Sequence, residues 1–66
     1  MRHGTFHLVL VSGTTRISGE VGAVWLDVDA AVGGGSTIRP SRLREGVWTV
    51  QDRDLRDVGV LYELGG

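Results

Sequence analysis

The run Thr5-Phe6-His7-Leu8-Val9-Leu10-Val11-Ser12 is apolar at almost every position, in a chain of 66 residues. A strand with one face in water alternates apolar and polar residues, whereas an unbroken apolar run calls for cover on both faces. A chain this short sits near the lower size limit for folding alone and has little material for two covering layers. The run is therefore expected to meet something beyond its own fold, with Phe6, Val9 and Val11 as contact residues.

The usual supports for a small domain narrow the choice. The chain has no cysteine, which removes disulfides and thiolate metal sites. Oligomerisation or a partner is the support that remains. All seven basic residues are arginine, and lysine and asparagine are absent. That usage fits a GC-rich bacterial or phage genome. It also favours rigid, bidentate contacts, which suit interfaces better than lysine does. A formal net charge of −1 gives no general attraction for nucleic acid. Neither a targeting segment nor an apolar stretch of about 20 residues is visible, so a cytoplasmic, non-membrane location is expected.

Turn residues divide the chain into short extended pieces. Ser12-Gly13-Thr14-Thr15 reads as a tight hairpin connection leading into a strand from Thr15 to Glu20. Gly19 and Gly22 flank Glu20-Val21 and suggest a bulge or a barrel corner. Ala23 to Ala30 alternates, with Val24, Leu26, Val28 and Ala30 on one side and Trp25, Asp27 and Asp29 on the other. That period predicts a strand. Val32 to Ser36 reads as a flexible loop, and Thr37-Ile38-Arg39 as an extended piece held out of the helical region by Pro40.

Ser41 to Gly46 predicts one helical turn, capped by Ser41 and stopped by Gly46. Val47 to Gln51 and Val58 to Leu64 predict strands, joined by a polar turn over Asp52–Arg56 with Leu55 tucked inward. The expectation is a single small β domain over residues 1–66: an all-β, five- to six-stranded antiparallel barrel or sandwich, SH3-like, with at most one short helical turn. Fold-level analogy of this kind assigns no function.

The segment Gly4-Thr5-Phe6-His7-Leu8-Val9-Leu10-Val11 is similar to the opening strand of the MbtH-like partners of peptide synthetases. The resemblance covers these residues alone. The Ser-Leu-Trp-Pro stretch and C-terminal helix of that family have no counterpart in the sequence, and no function is carried over.

Few constellations here could carry chemistry. Met1-Arg2-His3 has the amine, amides and imidazole of a square-planar Cu(II) or Ni(II) site, a property of any chain with histidine third. His3 and His7 share a strand face but supply only two ligands, so His7 is read as a partly buried residue with a local hydrogen bond. Asp27 and Asp29 would stand roughly 6–7 Å apart on a strand. Paired carboxylates can do acid–base chemistry, but only in a cleft deeper than this chain can build, so a solvated strand face is the simpler reading. Asp52-x-Asp54-x-x-Asp57 lacks the glycine and terminal glutamate of a calcium loop, and is read as a turn. Gly33-Gly34-Gly35-Ser36-Thr37 has no lysine to make it a phosphate loop. No nucleophile–base pair stands out. No cofactor, metal site or enzymatic activity is expected.

Two features point to partners instead. Arg39, Arg42 and Arg44 form the one local positive cluster, suited to phosphate or acidic groups and partly neutralised by Glu45. Trp25, facing outward if its segment is a strand, is either an interface anchor or covered by a loop of a curled barrel, while Trp48 is in phase with Val50 and reads as core. The preferred expectation is a non-enzymatic module that forms a homo-oligomer or docks into a larger assembly, a phage or virion structure being one setting. The alternatives are a nucleic-acid-binding barrel using the arginine loop and a compact inhibitor or regulator of a host enzyme.

Overall fold

In a computed structural model, residues 3–65 are described as five antiparallel strands and one helix. These are β1 (His3–Leu10), β2 (Gly13–Glu20), α1 (Val21–Ala31), β3 (Thr37–Pro40), β4 (Val47–Gln51) and β5 (Asp57–Gly65). The strands form one sheet in the order β2-β1-β5-β4-β3. The mostly-β expectation holds. The sheet is not closed into a barrel, however: β2 and β3 are opposite edges with no ladder between them.

The main correction concerns Ala23–Ala30, which is helical and not a strand. Both periods are written in this segment. The alternation of Val24, Leu26, Val28 and Ala30 coexists with a stripe at helical spacing, namely Val21, Val24, Trp25, Val28 and Val32. Tertiary packing selects the second. Val24 and Val28 are fully buried, while Val21, Trp25 and Val32 pack partly buried around the same core. The helix leaves Leu26 at 72% exposure.

α1 has weak local support. Its N-cap Glu20 makes no side-chain cap, and its ends lack the acidic and basic residues that favour the helix dipole. Its C-terminus is better made. Gly34 N–H donates to Asp29 C=O at 2.8 Å and Gly33 N–H to Ala30 C=O at 3.2 Å, a Schellman arrangement. Gly33 takes φ +88°, which glycine adopts without strain. The segment expected to be a flexible loop is therefore a helix stop.

Register fixes the two sheet faces. Phe6 and Leu8 of β1 lie on the same side as Ile17 of β2, Leu61 of β5, Trp48 and Val50 of β4 and Ile38 of β3. α1 covers this side. Phe6, Leu8, Val24, Val28, Val50 and Leu61 are at most 1% exposed there. Phe6 stands edge-on to both tryptophans, with centroids 6.0 Å from Trp25 and 5.8 Å from Trp48; the tryptophans are 5.3 Å apart. Edge-to-face geometry of this kind adds attraction beyond area burial.

The connections differ in detail from expectation. The β1–β2 loop is Val11-Ser12, because Leu10 pairs with Gly13. Ser41–Gly46 is a loop with no helical turn: Ser41 Oγ accepts from Leu43 N–H at 3.1 Å, which bends the chain locally. The 52–56 link is a turn built on Asp52, whose carboxylate accepts from the N–H groups of Asp54 and Arg56 at 2.9 and 3.1 Å. Leu55 is not tucked inward but 59% exposed, and it is the one described non-glycine residue with positive φ, +61°.

Candidate functional site: an open sheet face

The opposite side of the sheet carries no helix. Register places Thr14, Val9, Val60, Thr49 and Arg39 in one row across all five strands, with Arg16, His7, Tyr62 and Val47 in the next. The centre of this surface is apolar and the flanks are charged. Val9 and Val47 are half-buried by their neighbours, while Val60 and Leu64 are 40% and 45% exposed. His7 and Tyr62 are locked together: Nδ1 and the phenol oxygen are hydrogen-bonded at 3.0 Å, and the rings meet edge-on at 5.4 Å. His7 is partly buried and hydrogen-bonded as expected, but its partner lies across the sheet on β5 and is not local in sequence.

A groove of about 630 Å³ runs along the β4–β5 side of this face, beneath the 41–46 loop. Its apolar wall is Val47, Val60, Tyr62 and Leu64, and Leu43 overhangs it from the loop at 97% exposure. Arg44 and Glu45 stand at its rim.

The residues singled out from sequence now separate. Val9 is on the open face, and Val11 sits at the tip of the β1–β2 loop, 99% exposed. Arg39 is on the outermost strand of the same face, and Arg42 and Arg44 are exposed on the adjoining loop. Phe6 is elsewhere: with no exposure and the helix above it, it is core and offers no contact surface. Trp25 does not face outward from a strand, but packs half-buried from α1 into the core-side aromatic cluster. Tyr62, Val60 and Leu43 are the surface residues that the sequence reading did not single out. Their shared face follows from long-range register. The β5 alternation of Val58, Val60, Tyr62 and Leu64 holds for the last three, whereas Val58 packs against the core.

The possible chemical constellations dissolve in the fold. Asp27 and Asp29 lie two apart on a helix and point to different sides. Asp29 instead anchors the loop after α1, accepting from Ser36 Oγ at 2.7 Å and from Ser36 N–H at 2.8 Å. These two bonds, helped by the positive charge of Arg53, hold its carboxyl below the usual carboxylate range despite a smaller opposing effect of burial. Asp52 and Asp57 are occupied in the 52–57 turn, Asp57 accepting from Gln51 Nε2 at 3.0 Å. Among the described residues no group of three or more potential ligands could hold a metal ion. The Met1-Arg2-His3 metal motif falls partly outside the described residues. No helix among the described residues is long and apolar enough to cross a membrane.

Comparison with family models, with curated proteins and with solved structures finds no match.

Proposed function

We propose that this protein is a non-enzymatic interaction and assembly module whose open sheet face is its docking surface. The observation that carries the reading is the uncovered apolar centre formed by Val9, Val47, Val60, Tyr62 and Leu64, with Leu43 overhanging it. β1 is an interior strand, and its Val9 side has no second layer. An apolar strand built for two-sided cover but covered on one side is a strand prepared for a partner. Charged residues at the margin, Arg16, Arg39 and Arg44, match the polar rim that surrounds an interface core.

The test is absolute mass by light scattering after size exclusion, at micromolar protein and two salt concentrations. A salt-resistant oligomer is expected, with Val60→Glu lowering its mass. A monomer that also fails to bind a dye specific for exposed apolar surface would overturn the reading.

One observation favours nucleic-acid binding as a second reading. Arg39 shares the open face with Tyr62 and His7, and Arg42 and Arg44 adjoin it, so a flexible strand could find stacking and phosphate contacts together. Binding of a single-stranded oligonucleotide at low salt, with a salt slope that falls on Arg42→Ala, would support it. No binding at low salt would remove it.

A further inference from the structure

The two edges of the sheet are unlike. β3 is four residues long and ends in Pro40, which has no N–H to offer a neighbour. β2 is eight residues long, contains no proline, and no strand among the described residues pairs with its outer edge. Short, proline-bearing edges resist pairing with other chains, whereas long regular ones invite it. We propose that β2 pairs antiparallel with β2 of a second copy of this chain, around a two-fold axis at Ser18, joining the two sheets into one. The inference rests on the assembly reading above and adds to it a second contact with a defined register.

Hydrogen-bond parity restricts the possible registers. Leu10 and Gly13 pair across a two-residue loop, so they exchange both backbone bonds. Thr15, Ile17 and Gly19 therefore also spend their backbone groups on β1. Thr14, Arg16, Ser18 and Glu20 point theirs to the free edge. Only registers that set these even-numbered residues against one another can form a ladder, and such registers keep both open faces on the same side.

Charge then selects among them. Arg16 and Glu20 are exposed on the open-face side of β2, and neither has a charged partner among the described residues. With Ser18 on the axis, Arg16 of each copy lies directly opposite Glu20 of the other, giving two cross-strand pairs of opposite charge. A slip by two residues toward the loop sets Arg16 against Ser18. A slip by four sets Arg16 against its own copy, where like charges repel. Because α1 begins at Val21, the ladder between copies in the favoured register spans residues 16–20 of each β2.

The experiment uses the full chain carrying Val60→Glu, so that the open face is disabled and the edge is read alone. This protein is expected to be a dimer by sedimentation equilibrium. Adding Arg16→Glu weakens the dimer about tenfold or more, and Arg16→Glu with Glu20→Arg restores it. Adding Ser18→Pro removes an N–H that no strand within one chain uses, so the circular dichroism stays native while the dimer is lost. A Val60→Glu protein that is already monomeric overturns edge pairing and leaves the open-face reading standing. A dimer that survives both Ser18→Pro and Arg16→Glu also overturns it. If Val60→Glu leaves the wild-type mass unchanged and Ser18→Pro alone yields a monomer, edge pairing stands and the open-face reading falls.

Discussion

Gly59 shows how much one absent methyl group decides. A Cβ built there would lie 2.5 Å from Leu10 Cδ2 and 2.6 Å from the Val9 carbonyl oxygen. The clash with backbone cannot be relieved by turning a side chain. Gly59→Ala is therefore expected to destabilise the fold by about 1–3 kcal/mol in chemical denaturation. Leu55 presents the opposite case, a side chain where glycine would suit better. At φ +61° and well exposed, it holds a left-handed conformation with little packing in return. Leu55→Gly should be neutral or stabilise by up to about 1 kcal/mol, because relief of that strain opposes the extra freedom glycine gains when unfolded.

Asp29 adds a pH dependence at this same scale. Its folded carboxyl is held below its unfolded value by Ser36, so it contributes stability above the unfolded value. That contribution is lost as pH falls through the folded one. Nuclear magnetic resonance titration of the Asp29 carboxyl should show a depressed midpoint that moves back toward the ordinary range in Ser36→Ala. An unshifted midpoint in the parent protein would contradict the hydrogen-bonded arrangement.

At the scale of elements, α1 is the decisive piece. Eleven residues without a side-chain N-cap are too few to hold a helix in water. A peptide covering Val21–Ala31 is accordingly expected to show little helical signal by circular dichroism. Packing on the sheet supplies what the segment lacks, and that makes a sharp contrast between neighbours. Val28→Ala removes buried methyl groups and should cost about 2 kcal/mol. Leu26→Glu changes an exposed position and should stay within about 0.5 kcal/mol of the parent. In a strand, Leu26 and Val28 would share one face, and both substitutions would be costly. The pair of denaturation curves therefore separates helix from strand without a new structure.

At the scale of the whole molecule, a single helix cannot cover both sides of a five-stranded sheet. It covers the side that holds Phe6, Leu8, Leu61 and Val50, and leaves Val9, Val60 and Tyr62 facing out. The apolar opening run, the uncovered face and the unprotected β2 edge are thus consequences of one shortage of material. An assembled protein should unfold at higher temperature as its concentration rises, since association stabilises only the folded state. A melting temperature independent of concentration over a hundredfold dilution would argue against assembly.

The five strands, and most of their limits, were legible in the sequence alone, because period-two patterning and turn residues act locally. It also showed that β1 is apolar on both of its faces. Val47–Gln51 was legible to the residue, and so was the partial burial of His7, but not its long-range bond to Tyr62. Two outcomes belonged to the tertiary structure. The segment after Glu20 carries strand and helix periods at once, and burial of Val24 and Val28 against Phe6, Leu8 and Leu61 resolved the conflict. The surface uniting Val9, Val60, Tyr62 and Arg39 exists only through pairing between strands distant in the chain. Local patterning states which residues alternate within a strand. Only the long-range register, fixed by where the one helix packs, decides which of the two sheet faces stays open.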